Sequence, residues 1–207
     1  MKPLRNYSYG SPLPPTLERA YVLIGEESLI SDKFAQDLWH AWAKQSGGTL
    51  DKSTFWIENA SDWAPVADAL QQLSLFSLPR AFNIHCLQKT LAPAGKAFFE
   101  AIAPLEQGPF CLIRAPFFTS KLLASVKSTL SFVPCLPLSG GALVKFIDTR
   151  LREEGLQYDK DIPRFLANLY DTNALAIHQC ILQLRLCAIN PLTQETLQPL
   201  LSDVAHF

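Results

Sequence analysis

The sequence predicts an α/β domain with a parallel sheet and helices on both faces, followed by a small all-helical module. Three observations predict it. Short, continuously apolar runs alternate with helical patterns over the first 140 residues or so. Such runs, apolar at every position rather than every second one, read as strands buried on both faces. Beyond Ser139-Gly140-Gly141 the strand signal stops and only helical periodicity continues.

The elements follow in order. Tyr21-Val22-Leu23-Ile24 is a first strand, ended by Gly25. Leu29 to Trp42 reads as a helix, with Phe34, Leu38 and Trp42 at i, i+4 and i+8. Thr54-Phe55-Trp56-Ile57 is a second strand. Asp62 is placed to cap a helix carrying Val66, Leu70 and Leu73, with Pro65 tolerated in its first turn. Residues 81–86 form a third strand, Lys96 to Ala103 a short helix, and residues 110–113 a fourth strand. Ser120 opens a helix with Leu122, Leu123, Val126 and Leu130, and Phe132 to Leu136 makes a fifth strand. Strands and helices alternating at this spacing build a parallel sheet. Four helical patterns remain, Ala142 to Glu154 (stopped by Gly155), Asp161 to Tyr170, Thr172 to Ala188 and Thr193 to Ala205.

Composition bounds the function. At 207 residues, 48% apolar and 18% charged, the chain has ample material for a core and is too apolar for disorder. No apolar run approaches the roughly 18 residues needed to cross a bilayer, and Met1 to Pro15 is polar and Pro-rich, unlike a signal peptide. A soluble cytoplasmic protein with no membrane partner is expected. Net charge is 18 − 19 = −1, which gives no global basic footprint. By segment, residues 1–76 hold six Lys/Arg and nine Asp/Glu, residues 77–141 six and two, and residues 142–207 six and eight. The central excess of 6 − 2 = +4 keeps a DNA-binding module open as an alternative, although ordinary solvated charge explains it as well.

The five cysteines, at 86, 111, 135, 180 and 187, form no CxxC pair and read as buried free thiols in a reducing compartment. Cys180 and Cys187, seven apart, are expected on one buried helix face. His85 and Cys86 are neighbours on a strand and point to opposite faces, so they form no dyad. No His/Cys spacing offers a metal site.

An α/β domain followed by a helical lid invites a nucleotide-binding reading, and the first strand–turn–helix junction tests it. A phosphate loop needs two glycines to let backbone N–H groups wrap the phosphates, then a lysine to neutralise them. Here the turn reads Gly25-Glu26-Glu27-Ser28-Leu29-Ile30-Ser31. Only Gly25 fits. Glu26 and Glu27 would repel phosphate, Ile30 replaces the second glycine, Ser31 the lysine, and Lys33 comes two residues late. The fourth strand ends in Arg114-Ala115-Pro116 instead of a Mg²⁺-holding carboxylate. The domain is therefore expected to bind no nucleotide cofactor and to hydrolyse no ATP. Glu26-Glu27 and Glu153-Glu154 are expected to be solvated surface charge. A divergent nucleotide-binding enzyme using Lys33 or Arg114 is the catalytic alternative.

One segment stands apart, Gln71-Gln72-Leu73-Ser74-Leu75-Phe76-Ser77-Leu78-Pro79-Arg80. Pro79 ends any helix before it, because the residue preceding proline avoids the α region. Leu75 and Phe76 then sit at a helix end. There they either cover the edge of the core beside the Ala81 strand or stand out as an anchor for a partner's apolar pocket. Residue chemistry by itself favours the first.

The runs Ala20 to Ile30, Asp62-Trp63, Leu73-Ser74-Leu75-Phe76 and the terminal Ser202-Asp203-Val204-Ala205-His206-Phe207, in that order and spacing, resemble the bacterial DNA polymerase III delta subunits. The resemblance covers nearly the whole chain from Ala20. It implies a RecA-like α/β domain of the AAA+ type, a helical lid, and no working ATP site. It also implies binding to the sliding clamp (the beta subunit) by a hydrophobic wedge, which maps onto Leu73, Leu75 and Phe76. Held open at one interface, the ring is then loaded on primed DNA. The chain would be no enzyme by itself and would count as a DNA-directed DNA polymerase, a nucleotidyltransferase, only through its holoenzyme.

The implied organisation is a Pro-rich arm over 1–19, a clamp-binding domain over 20–140 and a lid over 141–207. The third, collar domain of the family, which would meet the gamma/tau and delta prime subunits, is expected to be absent. The Pro-rich arm has no counterpart in the family pattern.

Overall fold

Continuous apolar stretches become strands here because helices cover both faces of the sheet. The computed structural model describes residues 2–3, 7–72, 78–102, 108–119, 122, 126, 130–170, 172–187, 189 and 191–198. Its contacts divide the chain into two units, 1–136 and 137–207.

In the first unit the strands are β1 (Lys2–Pro3), β2 (Ala20–Ile24), β3 (Asp51–Ile57), β4 (Arg80–Cys86), β5 (Phe110–Arg114) and β6 (Ser131–Pro134). They form one six-stranded sheet in the order β1-β6-β2-β5-β4-β3, and every pairing is parallel. The five expected strands are present. The sixth, β1, was not expected, because two residues that include a proline carry no periodic signal. It pairs as an edge strand, where a missing N–H is tolerated. The fifth strand also stops at Pro134, short of the expected Leu136, whose side chain is 62% exposed.

Alternation along β2 assigns its two faces. Ala20, Val22 and Ile24 belong to a core with Trp63 and Val66 of α2 (Trp63–Gln71) and Phe98 and Phe99 of α3 (Pro93–Ile102). Tyr21 turns the other way, to rings of α1 (Ser28–Gln45), with centroids 5.4 Å from Phe34 and 6.1 Å from Trp42. Trp42 stacks on Phe110 at 4.9 Å and donates its indole N–H to the Glu18 carbonyl at 3.0 Å.

The stretch before β2 is tied to this framework. Tyr7 packs edge-on against Phe34 at 4.7 Å, Arg19 donates to the Gly108 carbonyl at 2.7 Å, and the Glu18 carboxylate accepts from the Ser131 hydroxyl at 2.7 Å. Burial holds the Tyr7 phenol well above its ordinary range. Asp62 departs from expectation. Its carboxylate accepts from the Glu58 and Asn59 N–H groups, at 2.9 and 2.7 Å, and closes the 3₁₀ turn before α2 instead of capping α2.

The second unit contains α4 (Gly140–Glu153), α5 (Ile162–Tyr170), α6 (Ala174–Leu186) and a helical stretch at 194–198. No strand occurs among its described residues, only a single parallel bridge between Tyr158 and Leu192. Gly155 ends α4 at φ 71°, a left-handed conformation that costs a side chain little only when it is glycine. Its buried side chains are mainly aliphatic, among them Leu143, Ile147, Leu151, Ile177 and Ile181.

Two expectations are corrected in this unit. Cys180 is buried, but Cys187 is exposed, because it sits at the C-cap after Leu186, itself 78% exposed, where the helix outruns its packing. Glu154 is not solvated. Its side chain is 10% exposed and pairs with Arg150 and Arg185, each at 2.5 Å. No helix among the described residues is long and apolar enough to cross a membrane. Most of the helix expected from Ser120, the end of the last helix, and the motif Ser202 to Phe207 lie outside the described residues.

Candidate functional site

The turn after β2 is where a phosphate would sit, and two of its backbone donors, the Glu27 and Leu29 N–H groups, already have acceptors within the chain. Gly25 has φ 110°, and a Cβ there would collide with the carbonyl of Cys135, just past β6. That carbonyl accepts from the Glu27 N–H at 3.1 Å, while the Cys135 N–H donates to the Ile24 carbonyl at 2.5 Å. The Glu27 carboxylate accepts from the Leu29 N–H at 3.3 Å and so caps α1. A backbone carbonyl and a carboxylate therefore take two of the N–H groups at the positive end of the helix, where an outside anion would otherwise compete for them. Gly25 is thus required by the close approach of Cys135, a reason the sequence could not supply. Glu27 is half-buried and structural, which corrects its reading as solvated charge.

The charged groups beside the turn are paired as well. Arg114, at the end of β5, donates to Asp32 at 2.5 Å and to the Ser31 hydroxyl at 2.9 Å. Lys33 donates to Asp37 at 2.8 Å, one turn along α1. His85 stacks on Trp56 at 4.1 Å and meets the Asn83 amide at 3.1 Å. Burial, and then the positive charge of Arg114, push its pKa below the ordinary value. The cleft left among Gly25, Glu26, Ser31, His85, Leu87 and Arg114 measures about 170 Å³. Sites for drug-sized ligands run to about 300–1,000 Å³, so this cleft is smaller than a typical ligand site. Ile30 is buried in the core rather than facing this cleft.

The other candidate lies at the end of α2. Leu73, Leu75 and Phe76 fall outside the described residues, but the residues on either side are described. Helix α2 ends at Gln71, and Gln72 is extended (φ −72°, ψ 143°) with its N–H still donating to the Asp68 and Ala69 carbonyls. The chain is described again from Leu78, and the Pro79 carbonyl accepts from the Asp51 N–H at 3.0 Å. Arg80 joins the two sides. Its guanidinium donates to the carbonyls of Leu70, at 3.3 Å, and Gln72, and lies 5.3 Å from the centroid of the buried Phe82 ring.

Sequence reasoning missed Arg80, Asp32 and Cys135. Only Arg80 left a signal, as a cation shortly after a helix end that lacks a basic residue of its own.

Fold and site together define an α/β domain of RecA-like class whose phosphate turn is partly occupied by the Cys135 carbonyl and the Glu27 carboxylate, followed by a helical unit. The structure is similar to the Bacillus subtilis DNA clamp loader delta protein, with a TM-score of 0.54 and 15% sequence identity over 84% of this chain and 55% of that one. In sequence the chain is similar to the DNA polymerase III subunit delta of Haemophilus influenzae (strain ATCC 51907 / DSM 11121 / KW20 / Rd), 21% identical over 177 residues. That match covers 80% of this chain and 50% of the relative, so the chain spans about half the length of the curated relative it matches. No family model matches the sequence. The resemblance read from the motifs is thus found independently in sequence and in fold.

Proposed function

We propose that this chain acts as a clamp-loader delta subunit that binds the sliding clamp and holds one interface of the ring open for loading on primed DNA in replication. Residues 20–140 form the clamp-binding domain and 141–207 the lid. The contact is made by Leu73, Leu75 and Phe76, with the last two as the central pair. The protein works in the cytoplasm, needs no cofactor and does not hydrolyse ATP itself. Its partner is the sliding clamp; the gamma/tau and delta prime subunits are partners only where a collar domain is present.

The observation that carries this reading is the pairing of a delta-like fold with a phosphate turn that holds a carbonyl and a carboxylate of the chain itself on two of its backbone donors. A domain of this class that is closed to nucleotide keeps a scaffold role, and binding energy is what a scaffold contributes. A subunit that prefers the open ring shifts the ring's equilibrium by its difference in affinity for the two states, with no chemistry of its own. The alternative of a nucleotide enzyme using Lys33 or Arg114 is disfavoured because both cations already have carboxylate partners within the domain.

The test is clamp binding by surface plasmon resonance, with Leu75→Ala/Phe76→Ala beside the parent protein. Central anchors cost about 2 kcal/mol or more each on truncation, so the double variant is expected to lose affinity by about 100-fold or more. Its thermal midpoint should stay within about 2 °C of the parent, far below the shift that a core deletion causes. A parent protein that does not bind the clamp, or a double variant that unfolds, overturns the reading.

A further inference from the structure

The end of α2 lacks the devices that usually finish a helix. Its last turn has no basic residue, and its C-cap, Gln72, is extended instead of passing into a left-handed glycine. The carbonyls of Leu70 and Gln72, among those left without an intrahelical donor, are met instead from the next strand by Arg80. Two features hold that guanidinium in place. Its Cζ lies over Phe82, 5.3 Å from the ring centroid, and Phe82 is buried and packs edge-on against Phe55 at 5.4 Å. Its backbone is paired in β4, with Arg80 opposite Asp51 of β3. The helix end is thereby referred to the sheet through one side chain, across the interval 73–77.

We propose that Arg80 is a positioning residue for clamp binding, fixing the departure at Gln72 and the return at Leu78 so that the intervening residues are presented from a rigid base. The proposal rests on the clamp-binding reading above. Its physical content is fork geometry. A guanidinium reaches two carbonyls at once while its cation sits over a ring, whereas an ammonium on a flexible stem satisfies neither demand fully. A residue ordered before binding saves the entropy that would otherwise be lost on binding, and that saving appears as affinity.

The test compares Arg80→Met, which keeps the stem over Phe82, and Arg80→Lys, which keeps the charge, with the parent protein. Three readouts are taken: amide hydrogen exchange of peptides covering 68–80 in the free protein, clamp affinity, and thermal midpoint. Both variants are expected to speed exchange in that stretch and to weaken clamp binding about tenfold, or about 1.4 kcal/mol. The midpoint should move by no more than about 2 °C, since the tie is made at the surface.

Exchange and affinity both at the parent level in Arg80→Met overturn the proposal, as does faster exchange with unchanged affinity. Full rescue by Arg80→Lys also overturns it, since a charge at the helix end would then suffice. If the parent protein does not bind the clamp, the functional reading fails and the positioning role with it. The exchange comparison then still reports whether Arg80 ties the helix to the sheet, which keeps the two failures apart.

Discussion

The two units are held together by different means. In the first, the buried seam between α1 and the sheet is aromatic, with Trp42 in ring contact with Tyr21, Trp39 and Phe110. Its charges lie at the rim, where Glu27, Asp32 and Arg114 close the phosphate turn. In the second, the buried residues are mainly aliphatic, and the charges are drawn into the packing. Arg150 on α4 pairs with Glu153 and Glu154, and Arg185 on α6 reaches Glu154. Apolar surface is non-directional and supplies most of the stabilisation, whereas a nearly buried ion pair is costly to desolvate and supplies registry if anything. Both units therefore rest on apolar volume, and the second adds ion pairs within its packing that must stay matched once they are there.

That contrast breaks most visibly at Trp42. Trp42→Ala removes one of the two fully buried tryptophans among the described residues and strands the Glu18 carbonyl that accepts from its indole. A loss of about 3–5 kcal/mol is expected. Urea unfolding should show it confined to the first unit, and an unchanged transition there would mean the aromatic seam is not the main support.

In the second unit the corresponding change is Glu154→Gln. It removes the charge that pairs with Arg150, 11% exposed, keeps the Glu153 contact of that arginine and releases Arg185. Removing one partner of a buried pair costs about 3–5 kcal/mol, and the surviving Glu153 contact reduces that here to about 2. Arg150→Met/Glu154→Leu, which removes both charges and keeps the volume, is expected to be close to neutral. If the double variant is as unstable as the single one, the network acts by more than pairing and the contrast between the units narrows.

How much of this was legible in the sequence follows the same division. Strands buried on both faces announce themselves as unbroken apolar runs, so β2 and β5 were readable, as was the departure of Glu26, Glu27, Ile30 and Ser31 from a phosphate-loop pattern. The occupant of that turn was not, because the Cys135 carbonyl is a backbone atom and carries no residue signature. Glu153-Glu154 looked like surface charge because neighbouring carboxylates usually are, and only the approach of Arg185 from α6 makes Glu154 internal. Lys2–Pro3 is too short to show a period. Leu73, Leu75 and Phe76 were singled out by the helix end that Pro79 imposes and by family likeness, and clamp binding is the measurement that reaches them.

The smallest expected effect sharpens the contrast through pH, since each unit carries one histidine held below its ordinary pKa near 6.5. For His85 the cause is burial and then Arg114. For His178 it is burial and then Arg150, with Glu154 and Glu153 opposing, and its Nδ1 is buried without a hydrogen-bond partner. In both, folding favours the neutral ring, so the unfolded chain binds more protons as pH falls through 6.5. Stability is therefore fully present above that value and is lost progressively below it, until the folded state also takes up the proton. His178→Gln should flatten the acid limb of the second unit and leave that of the first, and His85→Gln should do the reverse. The two limbs are followed by hydrogen exchange in α6 and in β4 between pH 5 and 8. A limb that keeps its slope in its own variant removes that histidine as the cause. If both limbs flatten in either variant, the two units unfold as one, and the difference between them is one of composition rather than of stability.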